Sequence, residues 1–245
     1  MTKRLIPLVL LVILGLPLVY QSTPTEVLKL KTFDALIPEQ EPSGYFTVLN
    51  ITEDDINREG GYPLPRQRLA EINIQLKKKG ALGIGWVVAY PQPDRFGGDE
   101  AFKQSLQDIP SVLAMFEGDN ALYPNTTGTV ILGEDVGGIT ATGVIQNIDL
   151  FKETSQQGIA VARTEVDSLV RRLPLLLRTP DGWVPAYGTE VLKILVGADT
   201  YVIKTNDNGL EEIRVRGLPA VPVDSLGRKW ISFVNTPHTD LKDMD

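Results

Sequence analysis

The chain has 245 residues, of which 42% are hydrophobic and 22% charged, a balance typical of a folded globular protein. Its formal net charge of -7 argues against nucleic acid as a partner, because a surface that binds nucleic acid needs a basic patch. It has no cysteine, which excludes disulfides, thiol nucleophiles and thiolate zinc sites. It has one histidine, His238, so that neither a metal site nor a cofactor is predicted.

The N-terminus carries a candidate membrane segment. Lys3 and Arg4 precede an uncharged run from Leu5 to Tyr20, which as a helix would be about 24 Å long. A cleaved signal peptide is the alternative, but the residues after Tyr20 lack a small-x-small cleavage pattern. We therefore interpret residues 1–22 as an uncleaved signal anchor in the cytoplasmic membrane. The positive-inside rule then places residues 23–245 in the periplasm or outside the cell, as a single α/β domain.

The first elements after this segment are a helix and a strand. Leu30, Phe33 and Leu36 have helical spacing and predict a helix within residues 28–38 that continues the membrane segment outward and ends at Pro38. Residues 45–51 are rich in β-branched and aromatic side chains and predict a strand, and residues 52–55 predict an acidic turn after it.

A helix and a buried strand follow. The apolar spacing in residues 65–79, with Pro65 at the start and Gly80 beyond the end, predicts a helix. The uninterrupted apolar run 81–88 predicts a strand buried on both faces. Strand, helix and strand in this order predict a βαβ unit, with the first and second strands side by side and parallel.

The rest of the chain continues the alternation of helices and strands. Asp99 is a predicted N-cap of a helix that carries Phe102 and Leu106. The other predicted elements are strands at 111–116, 129–132, 143–150 and 169–177, a strand–helix pair within 183–196, a hairpin of 201–205 and 211–216, and a last strand at 230–234. Together they predict an α/β fold with a mixed, largely parallel sheet flanked by helices.

Acidic residues follow both of the first two predicted strands. If these strands are neighbours, five carboxylates converge at one edge of the sheet, with Arg66 at the start of the adjacent helix. Open parallel sheets bind ligands at this edge. The candidate ligand-binding residues are Glu53, Asp54, Arg66, Asp94 and Asp99, with Asp55 beside them. The alternative, which we favour, is that these are solvated loop charges, with Asp99 as a helix cap and Arg66 holding the loop. No catalytic residue is predicted.

Several segments in this order resemble the type-two CHASE domain, an extracellular sensory domain associated with cyclases and histidine kinases. The segments are Phe33–Asp34, Gly61–Arg66, Gly97–Glu100, Asp167–Leu175 and Gly227–Asn235. The chain departs from the pattern at Thr52 and Trp86, where family members usually carry aspartate. If those aspartates line a ligand or metal site in relatives, the resemblance implies that the site is altered or lost here.

The resemblance implies a sensory input domain that acts on a nucleotide cyclase or histidine kinase, often in a homodimer, and that responds to a small-molecule or protein stimulus. Relatives continue into a further strand, membrane helices and an output domain, so the end at Asp245 suggests truncation. The alternative is a membrane-anchored periplasmic module that binds a ligand or a protein without signalling. An exported hydrolase is a third hypothesis.

Overall fold

The computed structural model describes Gly15 and residues 23–38, 40–119, 122–234 and 236–244. Its helices are α1 (Thr23–Leu36), α2 (Glu53–Arg58), α3 (Arg66–Lys78), α4 (Asp99–Gln107), α5 (Asp149–Lys152) and α6 (Tyr187–Leu195), with a 3-10 turn at Leu241–Asp243. Within these residues, no helix has both the length and the hydropathy needed to span a membrane. Except for Gly15, the predicted anchor from Leu5 to Tyr20 lies outside the described residues.

The strands are short and numerous. They are β1 (Val48–Asn50), β2 (Ile84–Trp86), β3 (Ser111–Glu117), β4 (Gly128–Leu132), β5 (Ile139–Thr140), β6 (Val144–Ile145), β7 (Gln156–Ala160) and β8 (Arg172–Pro174). The remaining strands are β9 (Leu176–Thr179), β10 (Gly182–Pro185), β11 (Thr200–Asn206), β12 (Gly209–Val215), β13 (Val221–Pro222), β14 (Arg228–Trp230) and β15 (His238–Asp240).

The sheets are mixed, which corrects the prediction of a largely parallel sheet. Five strand pairs among the described residues are parallel (β1–β15, β2–β3, β3–β7, β4–β11 and β5–β9). Five are antiparallel (β3–β6, β8–β14, β9–β10, β11–β12 and β12–β13). Two-residue turns join β9 to β10 and β11 to β12, and such turns produce antiparallel neighbours. The predicted hairpin around Asn206 and Gly209 is confirmed.

A βαβ unit is present, but it lies one element later than predicted. Strand β2 is followed by α4 and then by β3, which runs parallel to β2. The predicted pairing of the first two strands is wrong, because β1 pairs with β15 near the other end of the chain. Within the run 81–88, which is predicted to be one strand, only Ile84–Trp86 forms a strand.

Other local predictions are confirmed with changed boundaries. Helix α3 begins after Pro65 and is followed by Gly80 at φ +94°, a conformation that glycine adopts without strain. The helix predicted within residues 28–38 corresponds to α1. Residues 143–150 form β6 and then enter α5, and the predicted last strand is replaced by β14 and a later strand, β15.

The largest core lies where α3 and α4 cover β2 and β3. Its centre is a set of aromatic rings in edge-to-face contact: Trp86, Tyr90, Phe102 and Phe151, with ring centroids 5.2–6.0 Å apart. A separate core around Tyr201 and Ile203 fills the sheet that contains the β11–β12 hairpin. Helix α6 packs against β3 and β7.

Candidate functional site

Three of the predicted site residues lie together: Asp94 in the loop between β2 and α4, Asp99 at the start of α4 and Arg66 at the start of α3. The Asp94 carboxylate accepts backbone hydrogen bonds from Arg66 (2.9 Å) and Gly98 (3.3 Å), and the Asp94 N–H donates to Asp99 Oδ2 (2.8 Å). Burial alone would raise the pKa of Asp94, but these N–H groups outweigh it, and the pKa lies below its ordinary value. The Asp94 charge therefore organises the loop.

Arg66 ties this loop to the start of α3. Its guanidinium is buried, with its carbon 4.1 Å from the centroid of the Tyr90 ring, and its Nε lies 3.7 Å from Asp99 Oδ1. The predicted cap at Asp99 is wrong: Gly98 is the N-cap of α4, and Asp99 is its first helical residue. Neither Arg66 nor Asp99 lines either of the two cavities described below.

Glu53 and Asp54 lie elsewhere, in the first turn of α2. Within the described residues, no hydrogen bond or ion pair links them to Arg66, Asp94 or Asp99. The predicted convergence at one sheet edge rested on β1 lying beside β2, and that pairing is absent because β1 pairs with β15. Asp54 lines a cavity of about 470 Å³ together with Asn57, Arg58 and Lys242.

The two departures from the family pattern have structural roles. Thr52 caps α2: its Oγ1 accepts from the Asp55 N–H (3.2 Å), and Asp55 Oδ2 accepts from the Thr52 N–H (2.8 Å). Trp86 is a core residue whose indole N–H donates to Asn73 Oδ1 (3.0 Å), and the Asn73 amide in turn donates to Ser105 Oγ (2.9 Å). Across the described residues, no group of three histidine or acidic side chains has the arrangement of a metal site.

A second polar site, which we call the Arg171 cluster, consists of Arg171, Asp34 and Asp167. The buried guanidinium donates to Asp34 through Nε and Nη2, both at 2.7 Å. It also donates to Asp167 through Nη1 and Nη2, again at 2.7 Å. Both carboxylates are bound in the two-point geometry that the planar guanidinium favours.

The charges of the Arg171 cluster stabilise one another. Hydrogen bonds from Arg171 lower the pKa of Asp34 below its ordinary value and lower that of Asp167 to about 2. The hydrogen bonds that Arg171 donates to Asp34 and to Asp167 raise the pKa of Arg171. The cluster is therefore fully ionised at neutral pH.

Apolar contacts join α1 to the domain beside this cluster. The ring centroids of Phe33 and Trp230 are 4.1 Å apart, and Leu30 is buried. Leu30, Phe33 and Asp34 follow one another at the i, i+3, i+4 spacing of one helix face. Trp230 is supported from β8, where Arg172 lies 4.9 Å from its ring. One face of α1 is thus attached by both ionic and apolar contacts.

No ligand role is predicted for these residues, although they lie in three of the segments that resemble the CHASE domain. These segments are far apart in the chain, and Asp34, Arg171 and Trp230 from them meet at the attachment of α1. Three of the segments that carry the family resemblance are therefore neighbours in the fold.

A third site is a polar cavity of about 530 Å³, which we call the Glu190 cavity. It lies beside the start of β4, the start of β7, α5 and α6. Glu190 and Lys193, one turn apart on α6, form a buried ion pair with Nζ 2.7 Å from Oε1. The Tyr201 hydroxyl donates to Glu190 Oε2 (2.8 Å), and burial together with this carboxylate raises the pKa of Tyr201, which keeps it a donor.

The ion pair at this cavity leaves hydrogen-bonding capacity unused. Glu190 is 1% exposed, yet its Oε1 accepts no hydrogen bond, because the close Lys193 ammonium does not meet it with hydrogen-bond geometry. Lys193 donates to Thr127 Oγ1 at the long distance of 3.5 Å. No sequence motif marks this site, since its lining residues come from separate segments of the chain.

Comparison with known proteins gives one match. A family model described as the CHASE2 domain matches residues 8–244. No curated protein and no solved structure matches the chain.

Proposed function

The chain belongs to the CHASE2 domain family, a family of extracellular sensory domains, and from this premise we propose that it is the extracytoplasmic input domain of a transmembrane signalling protein. In this proposal residues 1–22 anchor it in the cytoplasmic membrane, and a stimulus changes the way in which α1 is attached to the α/β domain. The output is a nucleotide cyclase or a histidine kinase.

The observation that carries the proposal is the Arg171 cluster. Asp34 lies on α1, the helix that follows the candidate membrane segment, whereas Arg171 and Asp167 belong to the α/β domain. A change in the domain that moves Arg171 acts on α1 directly, through two charge-assisted hydrogen bonds. No other ion pair between α1 and the domain occurs among the described residues.

A relay of this kind requires two states of the attachment. A stimulus shifts the population between them only by as much as it binds one state better than the other. Arg171 is suited to such a role because its two carboxylate partners lie on different segments, so that one can be released while the other still compensates the buried charge.

Double electron–electron resonance tests the relay. The chain has no cysteine, so spin labels can be placed at Leu28→Cys on α1 and Leu82→Cys before β2, both of which are exposed. We expect one dominant distance in the otherwise unchanged chain and a second, populated distance when Asp34→Asn weakens the cluster. An unchanged distance distribution would contradict a role for the cluster in positioning α1.

Topology reporters test the location separately. Alkaline phosphatase fused after residue 245 should be active in a bacterial host, and the fusion should remain in the membrane fraction. Green fluorescent protein fused at the same position should be dark if exported through the same route. The opposite pattern would place the domain in the cytoplasm and contradict an extracytoplasmic sensor. Sequencing the native gene beyond codon 245 identifies the output domain.

A further inference from the structure

The buried charges that line the Glu190 cavity are balanced within the protein, whereas its exposed rim carries two further carboxylates, Glu153 and Asp199. Lys193 pairs with Glu190 (2.7 Å), and Lys152 pairs with Asp149 (2.6 Å). A ligand with a net charge would have to compete with one of these pairs and leave its partner without compensation, which is costly for the buried Glu190–Lys193 pair. The buried pair therefore favours an uncharged ligand at its end of the cavity, and the acidic rim opposes an anion.

The cavity has both an unused hydrogen-bond acceptor and unused hydrogen-bond donors. Glu190 Oε1 is a buried acceptor that receives no hydrogen bond, although the Lys193 ammonium lies 2.7 Å away, and this ammonium has three N–H donors but one long hydrogen bond. A hydroxyl group satisfies both, because it donates to the carboxylate and accepts from the ammonium with the same oxygen. Two adjacent hydroxyls on one carbon skeleton satisfy them with better geometry.

The rest of the lining has the same mixed character. Side-chain amides and hydroxyls are numerous in it, and an amide carries both donors and an acceptor, although those of Gln146 and Gln157 already bind other groups of the protein. The residues with amides and hydroxyls include Asn125, Thr126, Gln146, Gln156 and Gln157. Met115, Tyr123 and Pro185 supply an apolar portion of the surface. Such a lining matches a ligand whose hydroxyls alternate with C–H surface.

We propose that the Glu190 cavity binds a neutral polyhydroxylated small molecule, of the size of a mono- or disaccharide, whose hydroxyls contact Glu190 and Lys193. The volume of about 530 Å³ lies within the range of roughly 300–1,000 Å³ found for small-molecule sites. The proposal deepens the sensory function and rests on it for its signalling consequence, whereas binding itself does not depend on it.

The cavity is connected to the Arg171 cluster by backbone hydrogen bonds. Ala186, at the start of α6, donates its N–H to the Leu175 carbonyl at 3.1 Å. Leu175 directly follows β8, which begins one residue after Arg171. A ligand that moves α6 therefore acts on the segment that positions Arg171, and this gives the proposed relay a physical route.

Isothermal titration calorimetry on the full chain tests the proposal. The probes are D-glucose, D-galactose, maltose and myo-inositol at millimolar concentration, and L-glutamate, L-lysine and putrescine serve as charged comparators. We expect saturable binding of at least one polyhydroxylated probe and none of the charged ones. Binding of only a charged comparator, or of no probe, would overturn the proposal.

Two substitutions locate the binding. Glu190→Gln should abolish it, but the change also disrupts a buried ion pair and has to be accompanied by a check of folding. Gln156→Ala changes an exposed side chain at the cavity and should raise Kd about two- to tenfold, the effect of one neutral hydrogen bond. Gln104→Ala, an exposed glutamine on α4 outside the cavity, is the matched control.

The outcomes separate this inference from the sensory function. If Gln156→Ala and a folded Glu190→Gln both bind a saccharide as the unchanged chain does, the Glu190 cavity is not its site. If no saccharide binds while the spin labels and topology reporters behave as expected, the sensory function stands and the ligand class is wrong. If a saccharide binds without changing the spin-label distances, the cavity is a binding site that is not coupled to α1.

Discussion

Arg171 binds Asp34 through two hydrogen bonds of 2.7 Å, although the two residues are 137 positions apart in the chain. The guanidinium is buried, and its remaining donors bind Asp167 with equal distances. This arrangement uses the fork geometry of arginine on both sides, which an ammonium group cannot reproduce. The attachment of α1 therefore depends on the shape of Arg171 as well as on its charge.

Arg171→Lys tests this dependence. Lysine keeps the charge but loses the two-point contacts, so we expect faster amide hydrogen exchange within α1 and little change in β11 and β12, which belong to another core. Hydrogen exchange with mass spectrometry measures both regions in one experiment. Arg216→Lys, which changes an exposed ion pair with Asp199, is the control and should leave α1 unaffected. Unchanged exchange in α1 would show that the apolar contacts of Phe33 and Leu30 suffice.

The stability of the folded chain should depend on pH in part through the two carboxylates of the Arg171 cluster. The pKa values of Asp34 and Asp167 are lower in the folded chain than their ordinary value of 3.8, and that of Asp167 is about 2. Their stabilising contribution is therefore fully present above about pH 4 and is lost as the pH falls from there towards 2. Thermal unfolding followed across this interval should show the loss.

The double variant Asp34→Asn, Asp167→Asn provides the comparison for this pH prediction. It should be less stable than the unchanged chain at pH 7 and should lose less stability between pH 4 and pH 2, because two of the titrating groups are absent. Other carboxylates with lowered pKa values, among them Asp94 and Glu165, will still contribute in both proteins. Equal pH profiles for the two proteins would contradict the assignment.

The parts of the fold that the sequence predicts are those determined by local patterns. Helix α3 is marked by apolar spacing, by Pro65 and by Gly80, and the β11–β12 hairpin is marked by its turn residues. These signals act over a few residues and are readable without knowledge of the rest of the chain. The same is true of α1, whose Leu30 and Phe33 form the buried face.

The partners of strands and charges are not readable in this way. Strand β1 lies beside β15, where Asn50 and Asp240 are 190 positions apart, and no local pattern distinguishes this partner from β2. The prediction that β1 lies beside β2 was wrong for that reason, and the ligand-binding role of the carboxylates stays a prediction. The Glu190 cavity was missed because polar residues such as Gln157 and Thr127 are common on surfaces, and only the folded chain places them around a buried ion pair.

Asn73→Ala should lower the free energy of unfolding by about 1–3 kcal/mol, because it leaves the buried indole N–H of Trp86 without an acceptor and removes the donor to Ser105 Oγ, whose own O–H still donates to the Phe102 carbonyl. Urea denaturation measures the effect. Asn57→Ala, at an exposed position on α2, should change the stability by less than about 0.5 kcal/mol. In the Trp86→Phe background, Asn73→Ala should cost less, since the donor is already gone. An equal cost in both backgrounds would mean that Trp86 does not depend on Asn73.

Gly85 on β2 is required by the close approach of Tyr187 from α6. A Cβ at this position would lie 2.3 Å from the Tyr187 hydroxyl oxygen and 3.4 Å from Val191 Cγ2. Gly85→Ala should therefore lower the free energy of unfolding by about 1–3 kcal/mol, the usual cost of overpacking, as measured by urea denaturation.

The Tyr187→Phe background tests the cause. It removes the nearest atom and leaves the ring carbon at 3.2 Å, so Gly85→Ala should cost clearly less there than in the unchanged chain. Gly188→Ala is the matched control: it lies one residue after Tyr187 in α6 and has no atom within 4 Å of the added Cβ. That change should raise the stability by about 0.5–1 kcal/mol, through the higher helix propensity of alanine. An equal cost of Gly85→Ala with tyrosine and with phenylalanine at position 187 would show that the hydroxyl yields freely and that another neighbour, such as Val191, selects glycine.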